Sequence, residues 1–191
     1  VPWVHNVRNT DLVVAVDDEQ CLQLMRLLNE PAGCEFLSNE DVPAAIINQF
    51  PLLGISGICN LVAAIKMAKH FQFGTRDVVF TCLTDSMQLY GSRVEEERQR
   101  HGPYDCPAAA RCFGRYLEAV TTDHMRELTY QDRLAIHNLK YFTWVEQQQR
   151  SVEELNRLWD PDFWSETFAL ADEWDRLIAE LNERTGVLAL L

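Results

Sequence analysis

Two short runs of apolar, β-forming residues constrain the fold of this chain most strongly. Residues 12–16 read LVVAV and residues 77–83 read DVVFTCL, and polar residues flank both runs. A continuous apolar run of this length is typical of a strand that is buried on both faces of a parallel sheet. The residues between the runs carry helical patterns and are numerous enough for the crossovers that parallel strands need. The sequence therefore predicts an α/β fold with a parallel sheet covered by helices.

The helix after the first run has a clear beginning, face and end. Asp17 and Asp18 are of a residue type that caps helices, and Pro31 interrupts the pattern. Between them, apolar residues recur at spacings of three and four, which is the periodicity of a buried helix face. These residues are Cys21, Leu24, Met25 and Leu28.

A tight turn precedes the alanine-rich helical stretch of residues 58–70. Gly54 and Gly57 stand on either side of Ser56 in this turn. The serine hydroxyl has two roles open to it, since it can cap the helix or form a hydrogen bond with a molecule bound in the crevice above. Ligands of parallel α/β sheets bind beyond the carboxyl ends of the strands, so this turn is a candidate binding site.

The character of the sequence changes after Arg93, from which helical patterns continue to the end. We therefore predict two domains, an α/β part of residues 1–93 and an all-helical extension of residues 94–191 packed on it. Within the extension, Ser151 and Glu154 stand in the register of a capping box, and Asp160 precedes Pro161 at the start of the final helix.

One helix of the extension gathers several functional side chains. Residues 137–148, HNLKYFTWVEQQ, contain a histidine, an asparagine, a lysine and three aromatic residues. An amphipathic packing helix is the simpler interpretation, and a cover over the mouth of the site or a dimer contact is the alternative. His5 and Asn6, ahead of the first apolar run, are further candidates to reach the crevice.

Charge and composition exclude several classes of protein. The net charge is −12, the sequence pI is near 4.8, and the 17 basic residues are scattered. These values argue against nucleic acid and anionic membranes as partners. Because no apolar run approaches ~20 residues and residues 1–10 lack the features of a signal peptide, we expect a cytoplasmic protein. The six cysteines form no CxxC pair, so we predict neither a metal site nor a disulfide framework.

The order of three motifs resembles one enzyme family. Residues 54–69 read GISGICNLVAAIKMAK, the strand-like DVVFT follows, and the turn TDSMQLYGS comes next. This order resembles the carboxy-terminal signature of the fold-type II pyridoxal-phosphate enzymes of the cysteine synthase type, which share the tryptophan synthase β-like fold. The preceding VVAVDDEQCLQLMRLLNEPAG resembles the family's strand and helix before the signature. The resemblance covers roughly residues 11–93.

The resemblance implies a role for four residues. In that family the serine of the turn forms a hydrogen bond with the pyridine nitrogen of pyridoxal 5'-phosphate, and Ser56, two residues after Gly54, occupies the matching position. Asp85 and Ser86 match the second turn, where they support the pocket of the cofactor ring or, in the simpler interpretation, cap a helix. The sequence departs from the family at residues 57–59 and 87–89, which bears on substrate specificity.

The family's Schiff-base lysine and its loops for the substrate carboxylate and the phosphate lie in an amino-terminal half. This chain has only three lysines, and we interpret Lys66, Lys69 and Lys140 as solvated or snorkelling side chains. We therefore predict no catalytic residue here. The resemblance implies the carboxy-terminal portion of a lyase or β-replacement enzyme that acts on a small amino acid and is inactive without the missing half or a catalytic subunit.

Two alternatives remain open at this stage. A serine or threonine ammonia-lyase uses the same cofactor. The chain could instead be a non-catalytic partner subunit, whose acidic helical tail presents tryptophans as an interaction surface. These tryptophans are Trp144, Trp159, Trp164 and Trp174. Members of the family are usually homodimers, so a second copy of the chain is a further possible partner.

Overall fold

The computed structural model describes residues 4–190, of which the last two are described by their backbone alone. Helices make up 66% of the structure. Two strands, β1 (Leu12–Val14) and β2 (Met125–Glu127), form a two-stranded antiparallel sheet. The predicted parallel sheet covered by helices is therefore wrong.

The second predicted strand shows the physical reason. Residues 77–83 have no regular secondary structure, and among residues 4–190 no backbone–backbone hydrogen bond involves residues 78–84. Val78 and Phe80 are 90% and 87% exposed. An apolar run indicates only that its side chains favour burial. A strand also needs a neighbouring strand, because its backbone N–H and C=O groups pair across the sheet. The described residues offer this segment no such neighbour.

Ten α-helices follow one another along residues 4–190. They are α1 (Asp18–Asn29), α2 (Pro31–Asn39), α3 (Ala44–Ile47), α4 (Ile55–His70), α5 (Gly91–His101), α6 (Cys106–Phe113), α7 (Tyr130–Tyr141), α8 (Val152–Arg157), α9 (Pro161–Ala169) and α10 (Ala171–Thr185). Within the described part of the chain, none of them combines the length and the apolar character that crossing a membrane requires.

The chain divides into two compact units. Residues 14–126 form one, which we call the middle unit, and the described residues on either side of them form the other, which we call the terminal unit. The division places α5 and α6 with the helices that precede them, whereas the predicted domain boundary follows residue 93.

The core of the middle unit lies where α1 packs against α2, α4 and α6. As predicted, Asp17 caps α1, since its Oδ1 accepts a hydrogen bond of 3.0 Å from the N–H of Glu19. The predicted apolar face of α1 is buried, and side chains of the neighbouring helices complete the core. These buried residues include Cys21, Leu24, Met25, Leu28, Leu37, Ile58, Val62, Ala109 and Cys112.

A buried ion pair lies beside this core. The Nε of Arg26 is 2.7 Å from the Oε1 of Glu30, and both side chains are almost completely buried. Arg26 also donates to the carbonyl oxygen of Gly102 at 2.8 Å, and Arg98 donates to the other carboxylate oxygen of Glu30 at 3.0 Å. Because a buried charge is tolerated only when it is paired and hydrogen-bonded, this network fixes α1 against the end of α5.

The terminal unit has a smaller core around Trp144, Leu155 and Leu158. Three of its helices, α7, α8 and α9, begin at side-chain caps. The predicted capping box is confirmed, since the Oγ of Ser151 accepts from the N–H of Glu154 at 3.1 Å and the Glu154 carboxylate accepts from the N–H of Ser151 at 2.9 Å. A helix starts at Pro161 as predicted, with Asp160 as its N-cap, but it is α9 and α10 follows it.

Gly33 lies where α2 approaches α1 closely. A Cβ at this position would lie 2.1 Å from the carbonyl oxygen of Leu27, and this backbone oxygen has no freedom to rotate away. We expect Gly33→Ala to lower the free energy of unfolding by about 1–3 kcal/mol, the usual cost of overpacking. Gly91→Ala is the control, because no atom lies within 4 Å of a Cβ built there. Urea unfolding followed by circular dichroism measures both, and equal losses for the two variants would contradict the packing described.

Candidate functional site

The two turns singled out in the sequence meet at the amino-terminal end of α4. The N–H of Gly54 donates a hydrogen bond of 3.0 Å to the carbonyl oxygen of Asp85. Gly54 is buried, and a Cβ at this position would lie 2.4 Å from the Oδ1 of Asp85 and 2.9 Å from the ring of Tyr90. The turns approach this closely because residue 54 has no side chain.

Ser56 is the second residue of α4 and its side chain is exposed. The N-cap of α4 is Gly54, with no side-chain cap hydrogen bond, so the capping role considered for Ser56 is not realised. Within residues 4–190, the Ser56 hydroxyl makes no hydrogen bond to protein. The first N–H groups of a helix also lack partners within the helix and carry partial positive charge. Ser56 therefore presents a free hydroxyl beside unused backbone donors.

Asp85 binds Tyr90 through one carboxylate oxygen and leaves the other unused. The Tyr90 hydroxyl donates a short hydrogen bond to Oδ2 of Asp85, whereas Oδ1 is buried and has no hydrogen-bond partner among the described residues. The hydrogen bond to Asp85 raises the pKa of Tyr90, and burial and the Asp85 charge act in the same direction. Sequence reasoning missed Tyr90, although it stands in the quoted turn five residues after Asp85.

Ser86 follows Asp85 directly and precedes a single 3-10 turn, Met87–Leu89. Its side chain is half-buried and makes no cap hydrogen bond, so the capping interpretation fails for Ser86 too. Its backbone carbonyl accepts from the N–H of Leu89 at 3.2 Å. The structure thus joins Gly54, Asp85 and Tyr90 directly and places Ser86 next to them along the chain.

The three lysines are engaged elsewhere. Lys66 is buried and donates at 3.3 Å to both the carbonyl oxygen of Ala15 and the carboxylate of Asp123. Lys140 is also buried, so the interpretation of these two as solvated or snorkelling side chains is wrong. Lys69 is exposed but donates to the carbonyl oxygen of Val120 at 2.7 Å. Within the described residues, no lysine amine contacts the Gly54 and Asp85 turns.

A second group of polar side chains lies elsewhere in the middle unit. Ligand atoms of Glu19, Glu97 and His101 lie within 4.8 Å of one another, at the edge of a cavity of about 680 Å³. His101 Nε2 lies 3.6 Å from Glu19 and 3.4 Å from Glu97, and Gln23 donates to Glu97 at 3.3 Å. Arg100 completes the group at 3.4 Å from Glu19. Arg100 and Gln23 therefore bind the two carboxylates of this group.

The contact between Asp85 and Tyr90 predicts the behaviour of Tyr90 at high pH. Asp85→Asn removes the negative charge that opposes ionisation, so the pKa of Tyr90 should fall toward the ordinary value of about 10. Alkaline difference spectroscopy should then show an additional tyrosine ionising near that pH. Asp77→Asn is the control, because the Asp77 side chain binds only the backbone of Gly74 in the described structure. Superimposable curves for Asp85→Asn and the unsubstituted protein would contradict this contact.

Comparison of the chain with models of protein families, with curated proteins and with solved structures finds no match.

Proposed function

We propose that this chain forms the ring-nitrogen side of a pyridoxal 5'-phosphate site, in a lyase or β-replacement enzyme that acts on a small amino acid. The observation that carries the proposal is the Ser56 hydroxyl, which is exposed and unpaired at the start of α4 among residues 4–190. The close contact of Gly54 with Asp85 fixes the turn that presents it. The lysine and the phosphate loop of the site come from polypeptide outside these residues.

The residue types present fit this cofactor. A serine hydroxyl donates a hydrogen bond to a pyridine nitrogen without protonating it. When bound, pyridoxal phosphate stabilises negative charge at the substrate's α-carbon, and a neutral partner of the nitrogen limits this effect, which favours β-elimination and β-replacement. Asp85 is the single carboxylate of residues 84–92, and its Oδ2 accepts a hydrogen bond from the Tyr90 hydroxyl. The buried, unpaired Oδ1 of Asp85 is an acceptor for a further donor at the site.

The surface next to the site supports a contribution from further polypeptide. Residues 78–84 lead directly into Asp85, and their backbone forms no backbone–backbone hydrogen bond in the described structure. Val78 and Phe80 on this segment are almost completely exposed. Exposed apolar side chains are unfavourable in water, and backbone groups without partners in the chain can pair with those of another polypeptide, so a surface of this kind is suited to being covered. A polypeptide covering it would lie close to the turn that holds Ser56.

The same surface supports the alternative of a non-catalytic partner subunit. The tryptophans give this alternative less support than the sequence suggests, because Trp144 is in the core and Trp164 packs against it. Trp174 is exposed on α10, together with Leu177 and Leu181. An ammonia-lyase acting on serine or threonine would use the same cofactor and the same role for Ser56.

Substitution of Ser56 tests the proposal. In the full-length polypeptide expressed from its gene, we expect Ser56→Ala to weaken pyridoxal phosphate binding about two- to tenfold, the usual value of one hydrogen bond. Ser56→Thr keeps a hydroxyl and should retain most of the affinity. Ser92→Ala, at an exposed position of α5, is the matched control. The measurement is equilibrium binding followed by cofactor absorbance, and equal affinities for Ser56→Ala and Ser92→Ala would refute the role of Ser56.

A further inference from the structure

The terminal unit buries a histidine and a lysine side by side. His137 and Lys140 are 3% and 5% exposed, and they lie three residues apart on one face of α7. Neither forms an ion pair or a hydrogen bond with a carboxylate in the described part of the chain. Lys140 donates instead to the carbonyl oxygen of His5 at 2.5 Å. Positive charge in this place is therefore compensated by backbone alone.

His137 is held by packing. Its ring centroid lies 5.2 Å from that of Trp159, and neither ring nitrogen has a well-formed hydrogen bond within residues 4–190. The groups that act on the imidazole are the Lys140 ammonium and the Asn156 side chain at the end of α8. Arg8 approaches the same indole ring, at 5.6 Å from its centroid. A proton added to His137 would therefore be repelled by the charge of Lys140, with Arg8 on the same indole ring.

The carboxylates of the elements packed around α7 either bind other groups or are exposed, as Glu146 and Glu153 are. Asp132 forms the capping box with Thr129 at the start of α7. Asp11 lies 2.7 Å from Arg133. On α8, Glu154 binds the backbone of the cap residue and also Arg150. These interactions leave His137 without a neighbouring acid to stabilise its protonated form.

Cationic donors of this region hold residues 4–10 in place. Besides the bond from Lys140, Arg8 donates to the carbonyl oxygen of Trp159 at 3.1 Å, and Arg133 donates to the carbonyl oxygen of Thr10 at 2.8 Å. Val7 is completely buried. The segment therefore depends on the same environment in which His137 is buried.

We propose that this arrangement is an acid-sensitive latch, in which protonation of His137 beside Lys140 at acidic pH releases residues 4–10 from α7. The inference rests on the terminal unit alone and is independent of the cofactor proposal.

The direction of the effect follows from proton binding. Burial lowers the pKa of His137, Lys140 lowers it further, and Asn156 opposes the shift weakly. The pKa of His5 is lowered by burial and Lys140 as well. Since the folded form binds protons less tightly than the unfolded chain, whose histidines titrate near 6.5, the latch is fully stable above that pH and loses stability as the pH falls.

Hydrogen exchange of the complete chain tests the latch. After correction for intrinsic rates, protection of the peptide covering residues 4–14 should be lost progressively as the pH falls from 7.5 to 5.5, because His137 then binds a proton more readily in the unfolded chain than in the folded one. Protection of the α1 peptide, residues 18–29, should stay constant. His137→Phe keeps an aromatic ring against Trp159 and removes one titrating group, so its protection should depend on pH less steeply, with the remaining dependence due to His5. His70→Phe, at an exposed position, is the control and should keep the pH dependence.

A second measurement needs no variant. Proton NMR titration of the five histidines should show the His137 ring, identified by its contact with Trp159, titrating below 6.5. The latch is supported if the His137 ring titrates below 6.5 and residues 4–14 also lose hydrogen-exchange protection as the pH falls. A His137 that titrates at 6.5 or above, or protection that does not change with pH, overturns it.

Discussion

The close approach of Gly54 to Asp85 is the constraint on which the candidate site depends. A side chain at residue 54 would overlap the Asp85 carboxylate, so α4 begins against this loop only because glycine stands there. The contact fixes the first turn of α4 and with it the direction in which Ser56 projects. It also fixes Asp85, whose second partner is Tyr90. Helix start, loop and carboxylate therefore act as one rigid arrangement.

Local features of the structure could be predicted from the sequence, and features that need a distant partner could not. The Asp17 cap, the buried face of α1 and the capping box of Ser151 depend on residues within one or two helical turns, and all are confirmed. The strand predicted at residues 77–83 depends on a neighbouring strand, which the described residues do not provide. The prediction of a buried strand is therefore wrong on both counts, since the segment is unpaired and Val78 and Phe80 are exposed.

The candidate site divides in the same way. Gly54, Ser56, Asp85 and Ser86 could be singled out from the order of two motifs. Two of them, Gly54 and Asp85, are in contact, since a backbone hydrogen bond joins them. Tyr90 was missed because its role arises from a hydrogen bond across a turn, for which its residue type gives no signal.

Buried charges are the features least visible in the sequence. Arg26, Lys66 and Lys140 belong to residue types that are ordinarily solvated, yet all three are buried. Glu30 pairs with Arg26 from only four residues away, but each of the three also binds a group far along the chain, such as Gly102 for Arg26 and His5 for Lys140. Helical periodicity assigns such residues to a helix face. Only the tertiary contacts show whether a carbonyl oxygen or a carboxylate lies within hydrogen-bonding distance of the charged group.

The intact mass of the native polypeptide, purified from its source, decides between a pyridoxal phosphate enzyme and a non-catalytic partner subunit. Borohydride reduction fixes a pyridoxyl group covalently onto a lysine that holds pyridoxal phosphate. The account predicts a polypeptide longer than this chain, whose mass increases by one such group on reduction. A native polypeptide of 191 residues that gains nothing on reduction would contradict the account and favour a non-catalytic partner subunit.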